Sequence, residues 1–144
     1  MKLQPLTISN GQVITPSGSR AELHVINENG KSKEMTEQKP DIEHATIIDA
    51  KGNYIAPGLI DFHIHGGGGH DFLEATPEAY YTIAQAHAQH GITALYPTLA
   101  AHSIETFYKA IDACEQVMDD PKEGARMLGL HLEGNYLNPI MKGS

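Results

Sequence analysis

APGLIDFHIHGGGGHDF, residues 56–72, places an acid and two histidines on one short apolar run and follows them with four glycines. The run LIDFHIH reads as a β-strand. Side chains alternate across a strand, so Asp61, His63 and His65 are predicted on one face and Ile60, Phe62 and Ile64 on the other. A second stretch, GLHLEG, repeats the pattern: Gly129, His131 and Glu133 on one face, and Leu128, Leu130 and Leu132 opposite. Burying a face lined by histidine and carboxylate is costly unless something pairs with it. A divalent metal is a fitting partner, because imidazole and carboxylate are common ligands of zinc and other first-row ions. A lone His-x-His is more often a surface or core pair. Here it lies at a strand end, after Asp61, before a glycine loop, and alongside Glu133 on a second strand end. The glycines read either as a flexible connection or as a loop free of bulk that admits close approach.

Working outward, the segments after residue 56 alternate strand and helix. Thr76 and Pro77 mark a helix start, with Tyr80, Ile83, Ala84 and His87 at helical spacing and Gly91 as the stop. ITALYPT is the next strand. Ser103 caps a second helix whose apolar face is Phe107, Ala110, Ile111, Cys114, Val117 and Met118. MLGLHLEG is the third strand. Strand, helix, strand, helix, strand predicts right-handed βαβ units on a parallel sheet. His and carboxylate then sit at the C-terminal strand ends, where parallel barrels keep their chemistry.

Residues 1–55 read as β. LTIS and QVIT flank Asn10-Gly11, a hairpin signal. ELHVIN is a strand ending near Asn29-Gly30, and KSKEMTEQKPDIEHA is a loop. TIIDAKGNYIAPG returns to strand with a turn at Gly52. His70 and Asp71 read as loop-packing residues, and His87, His90 and His102 as helix-surface or capping residues. His24 and His44 carry no site signal, and Cys114 belongs to a helical core.

The chain has 144 residues, 40% hydrophobic and 19% charged, which suffices for one modest core. A net charge of −8 argues against nucleic acid as a partner. A single cysteine excludes an internal disulfide framework and fits a reducing compartment. No stretch approaches the ~20 apolar residues of a membrane span, and MKLQPLTISNGQVITP lacks a signal-peptide core. A cytoplasmic location without membrane contact is expected.

The two motifs together carry a family resemblance. APGLIDFHIHGGGG and GLHLEGNYLNP resemble the amidohydrolase superfamily and, within it, the N-acetylglucosamine-6-phosphate deacetylase family; ITALYPT is similar to that family's second strand. The first motif is superfamily-wide, whereas His-Leu-Glu-Gly followed by an aromatic and Asn-Pro is specific to the deacetylases. The resemblance implies an α/β chain. Residues 1–55 would be part of a small β-sandwich. Residues 56–144 would be a partial TIM barrel of the metal-dependent hydrolase type, its first three strands and two helices. Glu133 would be a metal ligand, with His63 and His65 forming a second metal position. The cofactor would be one or two divalent ions, zinc first, with iron or another first-row metal as substitutes. Asp61 and His131 would orient the ligands. Ser144 would open a substrate contact, and Lys142 is the basic residue nearest the site.

The implied reaction is hydrolysis of the acetamide of N-acetylglucosamine 6-phosphate to glucosamine 6-phosphate and acetate, in a homodimer. The chain would then be the N-terminal part of such an enzyme, with the catalytic Asp and two further histidine ligands beyond residue 144, and inactive alone. One departure is visible: Asn135 stands where the family usually has Pro after Glu-Gly, which relaxes φ there. Two rival readings are another amidohydrolase of the dihydroorotase or hydantoinase kind, which usually needs a carboxylated lysine on a later strand, and a module without turnover.

Overall fold

A computed structural model describes residues 4–38, 45–138 and 140. The chain divides into two compact units, Met1–Pro57 and Gly58–Ser144.

In the first unit, β1 (Leu6–Thr15), β2 (Gly18–Glu28), β3 (Lys31–Thr36), β4 (Thr46–Asp49) and β5 (Tyr54–Ile55) form one sheet in the order β3-β2-β1-β4, with β5 also on β1. Its buried cluster is Val13, Leu23, Val25 and Ile55. Two expectations fail here. Asn10-Gly11 is no hairpin turn: β1 runs straight through it, and the register with β2 shifts on either side of Gly11. The pair forms a bulge, with Asn10 at φ 57°. Any Cβ on Gly11 would lie 2.6 Å from Ile55 Cδ1, so β5 packs directly over the glycine. The hairpin turn comes five residues later, between Thr15 and Gly18. Secondly, Lys31–Thr36 is a strand and not a loop. It is the edge strand, antiparallel to β2, and it is exposed along nearly its whole length. Backbone pairing holds it, so its polar sequence shows no apolar alternation.

In the second unit, β6 (Leu59–Ile64) and β9 (Ile92–Leu99) are parallel neighbours. On the other side of β9 lie β10 (Arg126–Met127) and β11 (His131–Leu132), also parallel to it. A miniature antiparallel pair, β7 (Gly66–Gly67) and β8 (His70–Asp71), follows β6. The crossovers are α1 (Pro77–Ala88) and α2 (Ile104–Asp119). Thr76 caps α1 by accepting the Ala79 N–H, and Ser103 caps α2 by accepting the Thr106 N–H, as their sequences predict.

The core lies between β9 and the helices: Leu95 and Leu99 meet Tyr80 and Ile83 of α1 and Phe107 and Ala110 of α2. Cys114 is buried there, and burial pushes its thiol up to about 11, so it is a core residue and not a nucleophile. On α2 the buried stripe takes Ala113, while Met118 is 43% exposed. No helix among the described residues is long and apolar enough to cross a membrane.

Candidate metal centre

The strict alternation predicted for β6 is broken by a bulge. Ile60 pairs with Ala94 and Asp61 with Leu95, but the next pair is Ile64 with Pro97. Two residues, Phe62 and His63, therefore stand opposite Tyr96 alone. A bulge of this kind turns neighbouring side chains toward the same side. Phe62 stacks on Tyr96, with ring centroids 5.9 Å apart, and stays 66% exposed. His63 turns toward His65 and His131, its ring 5.2 and 5.0 Å from theirs. Of the apolar residues predicted on the face opposite the histidines, only Ile64 packs against the helical core; Ile60 and Phe62 are exposed. Asp61 leaves the imidazole face. Its carboxylate accepts the backbone N–H of His63 at 3.0 Å and so braces the bulge.

The third strand is interrupted as well. Met127 pairs with Leu95 and His131 with Thr98, so three residues, Leu128–Leu130, span two on β9. Leu130 is partly buried against the core, while Leu128 and Leu132 are exposed. The second bridge brings His131 onto the face of Thr98, and the Glu133 N–H donates to the Leu99 carbonyl at 3.0 Å. That bond aims the Glu133 side chain at the histidines.

His63, His65 and Glu133 converge: one ligand atom from each lies within 4.8 Å of the others. Glu133 Oε2 is 3.2 Å from His65 Nε2 and 3.5 Å from His63 Nε2. His65 Nδ1 is 3.1 Å from the Thr98 carbonyl oxygen. A carbonyl only accepts, so Nδ1 carries a proton and Nε2 is the nitrogen that faces the carboxylate. That contact takes a cation between nitrogen and oxygen, either a second ring proton or a metal ion. Two imidazole nitrogens meet one carboxylate oxygen, and that donor set fits a divalent ion better than a single proton shared by one pair. The three side chains are 43–52% exposed, open to ligand exchange. His131 is outside this group: its Nδ1 lies 3.2 Å from Thr98 Oγ1.

Gly66 and Gly67 are packed, while Gly69 is open to solvent. Gly68 and Gly69, at φ 61° and 86°, make the turn between β7 and β8. A Cβ on Gly66 would sit 2.1 Å from the His70 carbonyl oxygen, and one on Gly67 would sit 2.4 Å from His87 Nε2. His87, predicted as a helix-surface or capping residue, donates from Nε2 to the Gly66 carbonyl at 3.1 Å and ties the turn to α1. His70 pairs with Glu74 at 3.0 Å, and Asp71 caps the following 3₁₀ turn, so neither approaches the donor cluster. The Asp71 N–H, then His70, hold the Glu74 carboxyl below its usual range. Ser144, Lys142 and His44 lie outside the described residues. Sequence reasoning missed Thr98: in ITALYPT it is one β-former among several, and only the pairing of three strands shows that it touches all of them.

No family model matches the chain. It is 34% identical over 100 residues to the N-acetylglucosamine-6-phosphate deacetylase of Danio rerio, covering 67% of this chain and 24% of that protein. It is 27% identical over 139 residues to the enzyme of that name from Lysinibacillus sphaericus, covering 96% and 36%. An N-acetylgalactosamine-6-phosphate deacetylase of Escherichia coli O157:H7 is 29% identical over 99 residues, covering 69% and 26%. The crystal structure of N-acetylglucosamine-6-phosphate deacetylase from Pasteurella multocida superposes with a TM-score of 0.82 at 24% identity, over 94% of this chain and 36% of that one. The chain thus spans about a quarter to just over a third of the length of these relatives and has the fold of the matching part.

Proposed function

We propose that this chain, a homologue of the N-acetylglucosamine-6-phosphate deacetylases, contributes His63, His65 and Glu133 as ligands of a divalent metal in an enzyme that hydrolyses the acetamide of N-acetylglucosamine 6-phosphate to glucosamine 6-phosphate and acetate. One observation carries the reading: two imidazole nitrogens meet one carboxylate oxygen at 3.2 and 3.5 Å, at the C-terminal ends of parallel strands. In a (β/α) barrel those ends carry the chemistry. Bound there, the ion supplies Lewis acidity for amide hydrolysis. Zinc suits two imidazoles and a carboxylate, and iron or another first-row ion is an alternative.

The chain's own residues set the geometry. Thr98 holds His65 in one tautomer, Asp61 fixes the backbone at His63, and Glu133 brings the negative charge that a dication requires. Residues Gly58–Ser144 are read as strands and helices of a TIM barrel, and Met1–Pro57 as part of a small β-sandwich. A role for Ser144 in substrate contact, a cytoplasmic location and a homodimer belong to the same reading.

The test, on the full-length enzyme that contains this chain, measures bound metal and acetate release with N-acetylglucosamine 6-phosphate, N-acetylgalactosamine 6-phosphate and a cyclic amide as rival substrates. Metal-dependent acetate release from the first supports the reading. Turnover of the cyclic amide alone, or no metal bound, overturns it.

A further inference from the structure

We propose that Thr98 is the positioning residue of this centre, fixing with its hydroxyl and its own carbonyl which nitrogen His131 and His65 present; the inference rests on the reading of His63, His65 and Glu133 as metal ligands. Thr98 is 1% exposed and sits on β9 between β6 and β11. Its Oγ1 lies 3.0 Å from the Ile64 nitrogen, 3.2 Å from His131 Nδ1 and 3.4 Å from the Tyr96 carbonyl oxygen. Its carbonyl oxygen lies 3.1 Å from His65 Nδ1.

Valence decides the donors. A hydroxyl has one proton and two lone pairs. The Ile64 amide can only donate, so it takes one lone pair. The Tyr96 carbonyl can only accept, so the hydroxyl proton goes there. The second lone pair is left for an N–H from His131 Nδ1. That arrangement satisfies every partner; sending the hydroxyl proton to His131 would leave a lone pair idle and withdraw the donor from Tyr96. The carbonyl imposes the same choice on His65. Both rings then carry their proton on Nδ1 and keep Nε2 bare. His131 stands edge-on to His63 at 5.0 Å, so fixing its tautomer also fixes what His63 packs against. A ligating histidine whose other nitrogen loses its partner loses typically 10–100-fold in metal affinity; for His65 that partner is the Thr98 carbonyl, which side-chain substitutions leave in place.

The experiment compares Thr98→Val, Thr98→Ala and Thr98→Ser in the full chain. Imidazole ¹⁵N shifts are read without metal at alkaline pH, and zinc affinity by competition with a chelator. In Thr98→Val and Thr98→Ala, His131 is expected to lose its Nδ1–H bias while His65, held by the backbone carbonyl, keeps it. Misfolding would move both rings. Zinc affinity should fall in both by less than the 10–100-fold typical of a lost ligand support, because His65 keeps its carbonyl partner, and Thr98→Ser should bind zinc as the parent does. If Thr98→Val does not fold, the Ala and Ser pair isolates the hydroxyl. An unchanged His131 tautomer in Thr98→Ala, or a loss in Thr98→Ser equal to that in Thr98→Ala, overturns the proposal. A parent chain that binds no zinc would sink the ligand reading instead, and the metal-free nitrogen shifts would still decide the tautomers.

Discussion

The two sides of the candidate centre are held very differently. On the histidine side, four consecutive residues, His63 to Gly66, are tied down. The Asp61 carboxylate takes the His63 N–H, Thr98 takes the Ile64 N–H and His65 Nδ1, the His65 carbonyl takes the Phe72 N–H, and His87 donates to the Gly66 carbonyl. On the Glu133 side, a two-residue strand supports the carboxylate through one backbone bond to Leu99, followed by Gly134 at φ 49° and Tyr136 at 93% exposure. The difference teaches how the centre divides its work. Neutral imidazoles gain affinity by being preorganised, whereas an exposed carboxylate reaches its partner by adjusting its own rotamer. Stiffness is concentrated where the ligand has no charge to draw the ion.

The sharpest way to break this contrast is to remove the charge. Glu133→Gln keeps size and one oxygen but not the anion. Zinc affinity by calorimetry is expected to fall by more than the 10–100-fold typical of lost supporting contacts, while the melting temperature of the metal-free protein stays put, because the side chain is 45% exposed. Parental affinity would show that the imidazoles suffice alone. Next comes Gly66→Ala on the stiff side. Its Cβ would stand 2.1 Å from a backbone oxygen that cannot swing away, so the β7–β8 turn must open. A stability loss of about 1–3 kcal/mol is expected, the usual range for overpacking, together with weaker zinc binding. Denaturant unfolding checks the first and calorimetry the second. A variant that is destabilised but binds zinc as the parent does would separate the turn from the ligands. Asp61→Ala removes only the acceptor of the His63 N–H. It should cost about 0.5–1.5 kcal/mol and weaken zinc roughly tenfold. No change in affinity would mean that the bulge holds His63 without its brace.

How far the sequence could be read follows from what each feature depends on. The helix caps Thr76 and Ser103 and most of the buried helix residues were legible, because capping and helical spacing are rules within one segment; on α2 the stripe shifted to take Ala113 and leave Met118 exposed. Residue type and strand-end position pointed to a face of histidine and carboxylate that also included Asp61 and His131; the family resemblance, not the pattern, singled out His63, His65 and Glu133. What failed is what another strand decides. Phe62 and His63 look like neighbours on opposite faces until the register with β9 gives them one partner between them. Asn10-Gly11 has the chemistry of a hairpin turn, but Ile55, more than 40 residues away, seats itself on the glycine and the strand continues. Lys31–Thr36 has no hydrophobic pattern to read, because an exposed edge strand needs none. Thr98 was silent for the same reason: three of its hydrogen-bond contacts, with Ile64, His65 and His131, come from outside β9.

The smallest effect tests the adjustable side. Asn135 Oδ1 accepts the His102 N–H at 3.2 Å and tethers the segment after Glu133 to the chain entering α2. If Glu133 reaches the ion by rotamer adjustment, this tether affects stability more than affinity. Asn135→Ala deletes the bond and should cost about 0.5–1.5 kcal/mol. Asn135→Pro deletes the same bond but restricts the unfolded chain, which returns roughly 0.4–1 kcal/mol where φ is compatible; Asn135 is not among the positive-φ residues, so the ring is admissible on that count. Proline should therefore melt at or above alanine, and both should bind zinc within about threefold of the parent, below the 10–100-fold range of lost ligand supports. Paired melts and chelator competition settle the order. A tenfold loss of zinc in both variants would show that Glu133 needs its tether as much as His65 needs Thr98, and the two sides of the centre would then be equally stiff.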